Sequence, residues 1–343
     1  MADGLEPIAR EELRDRYGDA VQLRRPAHGR REAGIVRFDY RGDLRALLRL
    51  RTVLAVHLVR HYALPRPRAL LGDEHFRALL HQIATARALS PADVYRTLYV
   101  SAAGADSPVL RRLKEELARH TGLEPVAPEA HAGDLQLRLR RPLDGDGGWE
   151  VLVRLSPRPL SARAWRVCNL EGALNATVAR AMAIVTRPAP DDVVLNLACG
   201  SGTLLIERLD HAPARRAIGC DLSDEALDCA AENVRAAGQV GTVELQPWDA
   251  RSLPLPDRGV DALLADLPFG HLVGSHADNV ALYPAILREA ARVARDAAPF
   301  ALNSHEVRLT ESLVRDSTDW LLVDMARVSL GGLHPRIFLL ERR

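Results

Sequence analysis

Apolar runs and helix-like segments alternate along the second half of the chain. From Asp191 onward the apolar runs are DVVLNLA, RAIGCDL, TVELQPWD, DALLADLPF and PFALNSH. Runs of this kind, separated by helical periodicity, are typical of a parallel sheet covered by helices. After the second run, Ser223 can cap a helix, Asp224 and Glu225 complement its dipole, and an apolar stripe ends at Gly238. The pattern therefore predicts an α/β domain.

The end of the chain adds an antiparallel element to the predicted sheet. WLLVDMARVSL and GGLHPRIFLLERR are predicted to form two strands joined by a Gly-Gly turn. A further helix is predicted for residues 280–295 from its periodicity. We therefore expect a Rossmann-like C-terminal domain with seven strands, most of them parallel.

The first half of the chain has a mixed α+β pattern. Strands are predicted at residues 34–40, 53–62 and 95–102, and helices at residues 45–50, 73–87 and 108–120. DLQLRLRR and WEVLVRLS then alternate like two strands around the turn DGDGG, and SPRPLSARAWR is the predicted linker. We expect three domains, an α+β segment at 1–63, a second α+β domain at 64–160 and the α/β domain at 161–343.

Charge is divided unevenly between the two halves, although the net charge is only +1. Through Leu170 there are 29 basic and 21 acidic residues, whereas from Glu171 onward there are 17 basic and 24 acidic residues. Phosphate contacts need arginine or lysine, so the difference favours a module that holds nucleic acid joined to a catalytic domain. Ordinary surface variation between two domains explains the charges equally well.

Neither a metal site nor a membrane segment is indicated. The cysteines, Cys168, Cys199, Cys220 and Cys229, lack paired spacing and neighbouring histidine clusters, so we expect no disulfide framework and no zinc. No stretch approaches the roughly twenty apolar residues of a membrane helix, and the opening MADGLEPIAREELRDRYG lacks the apolar core of a signal peptide. These features predict a cytoplasmic protein in a reducing environment.

A glycine-rich turn follows the first apolar run and precedes a helix-like segment. Glycines at a strand-to-helix turn let the backbone approach a ligand, although such a turn alone can also hold nothing. Asp221 and Asp249 end the next two runs, where carboxylates can hold ribose hydroxyls and an adenine amine. Because GxGxxG and GKS/GKT are absent, a nucleoside without pyrophosphate fits better than NAD or ATP. The predicted cofactor-binding residues are Asn196, Cys199, Gly200, Ser201, Gly202, Thr203, Asp221, Leu222, Asp249 and Ala250.

The fourth run ends in a second candidate site, at Asp266, Leu267, Pro268 and Phe269. An exocyclic purine amine is a poor nucleophile, so a site must accept its N–H bonds and align it with the donor. The Asp266 carboxylate and the Leu267 carbonyl can do this, and Phe269 offers a face for stacking. A proline-containing loop that only packs its phenylalanine is the alternative. Tyr283 can line this pocket but is more simply explained as core.

With these residues in view, the chain resembles the THUMP-domain-containing class I RNA methyltransferases that form N2-methylguanosine in tRNA. NLACGSGTLLIE resembles the family's cofactor motif, ADLPFG its catalytic tetrapeptide, EGALNATVARAMAIV the preceding helix and GLEPIAREEL the family's N-terminal opening. Asn196 and Leu197 stand where the family usually has Asp-Pro. The resemblance implies a ferredoxin-like segment at 1–63, a THUMP domain at 64–160 that grips tRNA, and S-adenosylmethionine as cofactor.

The resemblance also assigns roles to single residues. It implies that residues 199–203 surround the methionine part of the cofactor, that Asp221 holds its ribose and Asp249 its adenine. Residues 266–269 would hold a guanine flipped out of its helix. Other acceptors remain open, namely N6 of adenine, a ribosomal guanine or a protein glutamine. A third possibility is an RNA-binding protein with a degenerate methyltransferase half, which Asn196 invites.

Overall fold

The structure, a computed structural model, describes residues 1–25, 33–102, 107–127, 133–145, 147–268 and 276–343. The chain forms two compact units, each with its own sheet. The N-terminal unit comprises Leu13–Glu32 and Val36–Leu160, and the C-terminal unit comprises Met1–Glu12, Ala33–Ile35 and Ser161–Arg343. No helix in the described ranges is long and apolar enough to cross a membrane.

The N-terminal unit is built on a five-stranded mixed sheet of strand order β3-β7-β6-β4-β5 and a separate two-stranded ribbon of β1 and β2. Helices α2 and α3 contact strands of the larger sheet. Helix α1 is divided between the two units, with the boundary after Glu12. The elements are α1 (Glu6–Tyr17), β1 (Val21–Leu23), β2 (Phe38–Tyr40), β3 (His57–Tyr62), α2 (Asp73–Arg87), β4 (Thr97–Ala102), α3 (Pro108–Thr121), β5 (Glu124–Pro125), β6 (Leu135–Arg140) and β7 (Trp149–Arg154).

Several predictions for this unit are confirmed. Helix α2 has the predicted bounds, and α3 begins after Ser107, whose side chain accepts a hydrogen bond from the Leu110 N–H. Strands β6 and β7 pair antiparallel as a hairpin. The strand predicted at 34–40 is confined to β2, the one at 53–62 begins only at His57, and the helix at 45–50 is a 3-10 helix, Leu44–Arg49.

The C-terminal unit contains a seven-stranded sheet in the order β10-β9-β8-β11-β12-β14-β13. All pairs are parallel except those that involve β14, which is antiparallel to β12 and β13. This is the predicted Rossmann-like sheet with its closing hairpin. The elements are α4 (Ala176–Val185), β8 (Val193–Leu197), α5 (Thr203–His211), β9 (Arg216–Cys220), α6 (Asp224–Ala236), β10 (Val243–Gln246), β11 (Ala262–Asp266), α7 (His276–Val293), β12 (Pro299–Ser304), α8 (Val307–Arg315), β13 (Trp320–Arg327) and β14 (Arg336–Arg342).

Helices cover both faces of this sheet, and β8 shows the consequence. Its alternate side chains enter two different hydrophobic clusters, Val193, Leu195 and Leu197 on one face and Val194 on the other. A strand buried on both faces is continuously apolar, which explains the run in the sequence. Asn196 is the polar exception in β8, and it is fully buried.

The helix predictions for this unit are partly confirmed. Ser223 caps α6 by accepting a hydrogen bond from the Ala226 N–H at 3.2 Å, and Gly238 follows the helix with a φ of +70°. Helix α7 begins at His276, a turn earlier than predicted, and ends at Val293. Its early start lacked an apolar signal in the sequence, because Ala277 and Asp278 line a cavity rather than the core.

The expectation of no disulfide is wrong, since Cys168 and Cys229 are bonded, with 5.4 Å between their Cα atoms. Cys168 precedes α4, whereas Cys229 lies in α6. Their separation of 61 residues carries no pairing signature in the sequence, and only the fold brings them together. Cys199 and Cys220 are free and buried.

Candidate active site

A cavity of about 970 Å³ opens at the carboxyl ends of the parallel strands in the C-terminal unit. This volume is at the upper end of the range for small-molecule sites. Ligands of open α/β sheets bind at this edge, because the strand-to-helix loops converge there. The wall is formed by the loops after β8, β9, β10 and β11, by residues 170–174 and by one face of α7.

The turn after β8 has the backbone conformation of a ligand cradle. Ala198, Gly200 and Gly202 all have positive φ, at +47°, +52° and +77°. A Cβ atom at Gly202 would lie 3.3 Å from the Cβ of Ala230, so the close approach of α6 also requires glycine there. Helix α5 begins at Thr203 without a side-chain cap. Thr203 and Leu204 of its first turn line the cavity, and the N–H groups of a helix start favour an electron-rich group there.

Asp221 follows β9 and joins two loops of the wall. One carboxylate oxygen accepts a hydrogen bond from the Gly200 N–H at 2.9 Å, and the other accepts from the Ser223 N–H at 3.0 Å. The carboxylate is thereby fixed at the cavity edge and keeps the capacity to accept further hydrogen bonds. The next residue, Leu222, is 64% exposed, so an apolar surface lies open beside a fixed carboxylate.

Asp249 lies in the loop after β10 and is ion-paired with Arg251, whose Nη2 lies 2.7 Å from a carboxylate oxygen. The hydrogen bond from Arg251 lowers the pKa of Asp249, so this carboxylate stays charged at neutral pH. Trp248 and Ala250 line the cavity beside it. A planar group bound here would meet an aromatic ring and a hydrogen-bond acceptor together.

The far wall contains Asp266, which ends β11. Burial raises the pKa of Asp266 to about 6, and a hydrogen bond from Asn303 acts in the opposite direction. That bond joins the Asn303 Nδ2 to the Asp266 Oδ1 at 2.8 Å. The Tyr283 hydroxyl donates to the Pro268 carbonyl at 2.7 Å. Tyr283 is fully buried, so the interpretation as core is confirmed, with its hydroxyl fixing the loop after β11.

The cavity brings together most of the residues that the sequence singled out. Two predicted residues do not line it. Asn196 is buried between strands, where its Nδ2 donates to the Leu197 and Leu264 carbonyls at 3.1 Å, and Gly202 packs on α6. Phe269 lies outside the described residues. Those that line the cavity are Cys199, Gly200, Ser201, Thr203, Asp221, Leu222, Asp249, Ala250, Asp266, Leu267 and Pro268.

Sequence reasoning missed three parts of the site. Residues 171–174 belong to EGALNATVARAMAIV, which the resemblance assigns to a helix, but α4 begins only at Ala176, and residues 170–174 form a wall of the cavity instead. Arg166, just before them, donates to the Thr203 hydroxyl and the Leu174 carbonyl, both at 2.8 Å, and so ties this wall to α5. The cavity-facing side of α7 and the amide of Asn303 were also missed. A polar residue at the carboxyl end of an apolar strand was the available signal for Asn303.

Strand order, glycine turn and strand-end carboxylates together define a class I, S-adenosylmethionine-dependent methyltransferase. The residues present fit that cofactor, since glycines with positive φ and an uncapped helix start line a cavity that Asp221 also faces. Residues 163–336 match the UPF0020 family, described as an RMKL-like methyltransferase domain, and the chain belongs to this family.

Relatives named as tRNA methyltransferases resemble this chain over different lengths. It is 30% identical to a tRNA (guanine(6)-N2)-methyltransferase of Thermus thermophilus, over 84% of this chain and 85% of that protein. It is 32% identical to mouse tRNA (guanine(6)-N(2))-methyltransferase THUMP3, over 49% of this chain. The match spans about a third of that mammalian protein, 36% of its length.

A solved structure resembles the whole chain. The crystal structure of TrmN from Thermus thermophilus superimposes with a TM-score of 0.72 at 26% identity. The match covers 100% of this chain and 98% of TrmN, so both units have counterparts there.

Proposed function

We propose that this protein transfers a methyl group from S-adenosylmethionine to N2 of a guanine in tRNA. The observation that carries the proposal is one cavity with Asp221 and the glycine turn in one wall and Asp266 in another. Methyl donor and amine acceptor thus have separate binding groups in a common space. The names of the relatives supply the choice of guanine N2 and tRNA.

The wall at β8, β9 and β10 is proposed to bind the cofactor. When bound, the cofactor supplies an electrophilic methyl group on a sulfonium. The N–H groups at the start of α5 and residues 199–203 would hold its methionine part, Asp221 the ribose hydroxyls, and Asp249 with Trp248 the adenine. Asn196 is not a direct ligand in this proposal, because its side chain does not line the cavity and its Nδ2 is occupied with strand carbonyls.

The wall at β11 is proposed to bind the acceptor base. A guanine amine carries two N–H bonds, and the Asp266 carboxylate and the Leu267 carbonyl can accept one each. Accepting both bonds turns the nitrogen lone pair toward the methyl donor, so catalysis is mainly positioning. Proton loss to Asp266 or water follows the transfer. Phe269 is proposed to stack on the base, as the sequence predicts.

The N-terminal unit is proposed to hold the RNA. The first 170 residues carry most of the excess basic charge, and Arg138 of β6 is exposed on the sheet. We assign residues 64–160, together with the paired strand β3, as a THUMP-like RNA-binding domain preceding a catalytic domain that begins at 161. This assignment is supported by the boundary between the two compact units, which falls between Leu160 and Ser161.

The test is methylation of unmodified tRNA with labelled cofactor, followed by digestion and identification of the labelled nucleoside. We expect N2-methylguanosine, and no label in RNA when ribonuclease is added first. Asp266→Ala should lower kcat by about 100-fold or more, because it removes an acceptor used in the transition state. Asp296 is exposed, pairs with Arg258 and does not line the cavity. Asp296→Ala is therefore the matched control and should leave kcat unchanged.

Label in N6-methyladenosine or in protein glutamine would refute the guanine assignment. Calorimetric titration with S-adenosylmethionine separately tests the degenerate alternative, because an inert scaffold releases no binding heat.

A further inference from the structure

Asn303 is placed by the sheet itself against Asp266. The parallel ladder between β11 and β12 sets Asp266 opposite Asn303, and the Leu267 N–H donates to the Asn303 carbonyl at 3.1 Å. The side chains meet as well, with the Asn303 Nδ2 donating to the Asp266 Oδ1 at 2.8 Å. Both the backbone and the carboxylate at the end of β11 are therefore held by one residue.

The surroundings of Asn303 do not favour an amide for stability. It is 1% exposed, and the preceding strand residues Phe300, Ala301 and Leu302 are fully buried and apolar. Its Oδ1 is buried without a hydrogen-bond partner in the described structure. An orphaned buried acceptor costs free energy that an apolar side chain of similar size would avoid. The amide is thus better explained by what it does to Asp266 than by packing.

We propose that Asn303 is a positioning residue for the methyl transfer, holding the Oδ1 of Asp266 so that the Oδ2 faces the acceptor amine. The inference rests on the proposed function. An ionised carboxylate only accepts hydrogen bonds, so the asparagine must direct its Nδ2 at Asp266. Tyr283 occupies the Pro268 carbonyl, which leaves the Leu267 carbonyl as the second acceptor. Asn303 and Tyr283 thus determine which two oxygens, the Asp266 Oδ2 and the Leu267 carbonyl, remain to accept hydrogen bonds from the base.

The first test replaces the amide by an apolar side chain of similar size. N303L should lower kcat about 10- to 100-fold, while KM for tRNA and Kd for the cofactor change less than about twofold, as expected for loss of alignment alone. T310V is the matched control, since it removes the buried hydrogen bond between the Ser304 and Thr310 hydroxyls beside Asn303. T310V should keep kcat within about twofold.

Exchanging the side chains of Asp266 and Asn303 distinguishes a positioning role for Asn303 from a purely structural role. N303D alone places two carboxylates together and should lose about 100-fold or more in kcat at neutral pH, because one of them must take up a proton. In the double variant D266N/N303D, the new carboxylate only accepts, so the new amide must donate to it and present its oxygen to the amine. We expect the double variant to be at least about tenfold faster than N303D.

A third measurement needs no substrate. Carboxyl NMR titration should show a higher pKa for Asp266 in N303L than in the wild type, because the amide hydrogen bond favours the charged form. Tyr283 of α7 faces Asp266 and Glu306 acts on Tyr283, but burial raises the pKa of Tyr283 to about 12, so it stays neutral in this range.

The inference is overturned if N303L retains wild-type kcat, if D266N/N303D is no faster than N303D, or if the pKa of Asp266 is the same in N303L. A failure of the proposed function would be detected in a different measurement, because the wild-type protein would then leave tRNA unmethylated. The NMR comparison still decides the role of Asn303 in that case.

Discussion

The two walls of the cavity hold their carboxylates in different electrostatic surroundings. On the cofactor wall, Asp221 accepts two backbone hydrogen bonds and Asp249 is paired with Arg251. On the acceptor wall, Asp266 accepts one side-chain hydrogen bond within the described ranges, from the Asn303 amide, and burial raises its pKa to about 6. Asp249 on the cofactor wall therefore stays charged at neutral pH, whereas Asp266 on the acceptor wall has a pKa closer to neutral pH. Changes to the first should affect binding, and changes to the second should affect the rate.

The largest effect on cofactor binding is expected at Asp221. Asp221→Ala removes the proposed ribose acceptor and releases the Gly200 and Ser223 N–H groups, so Kd for S-adenosylmethionine should rise about 10- to 100-fold. Calorimetric titration measures this directly. Asp296→Ala is again the control and should bind like the wild type. A variant that binds normally but turns over slowly would reverse the division of roles between the walls.

The pH dependence should come from the acceptor wall alone. Asp266 must be ionised to accept an N–H bond, so the rate rises as pH increases through its pKa. With a pKa of about 6, kcat at pH 5 should be about tenfold below its value at pH 7. Tyr283, which faces Asp266, does not supply this limb, because burial raises the pKa of its hydroxyl to about 12. A flat profile over this range would remove the contrast between the walls.

As pH rises, the contribution of Asp266 to the stability of the folded protein should fall, whereas its contribution to the rate should increase. The pKa of Asp266 is raised in the folded protein above its ordinary value of 3.8, so its contribution to stability is full below that value. The contribution is lost as pH rises through about 6. The charged form that the reaction needs is thus the form that the fold disfavours.

The carboxylates of both walls could be predicted because parallel strands end at one edge of a sheet. Asp221, Asp249 and Asp266 each follow an apolar run, and the parallel sheet brings the ends of these runs to one edge. The same signal marks Asn303, but its pairing with Asp266 is set by the register between β11 and β12, which the sequence pattern leaves open. The wall at residues 170–174 and the Cys168–Cys229 bond depend on tertiary packing of the segment before α4.

A smaller effect is expected at that disulfide, which ties the segment before residues 170–174 to α6 on the cofactor wall. Cys168→Ser should weaken cofactor binding by about threefold, since looser tethering adds ordering cost on binding. The effect is modest because Asn233 still holds the segment through the Val167 N–H, the Cys168 N–H and the Cys168 carbonyl. Calorimetry with and without reductant measures it, and kcat at saturating cofactor should stay unchanged. Equal affinity in both conditions would show that Asn233 suffices.

The smallest effect should come from the strained backbone of the cofactor turn. Ala198 has a φ of +47°, a region that costs an alanine free energy but a glycine very little. Ala198→Gly should therefore stabilise the protein by about 0.5 kcal/mol in urea unfolding, after the added freedom of the unfolded glycine is subtracted. Ala297, with a φ of +61° on the exposed loop before β12, offers the matched control. Both variants should gain stability, but only Ala198→Gly should weaken cofactor binding, by about twofold, because a glycine holds the turn less rigidly. Equal loss of affinity in both variants would mean that the strain in the turn serves no purpose in binding.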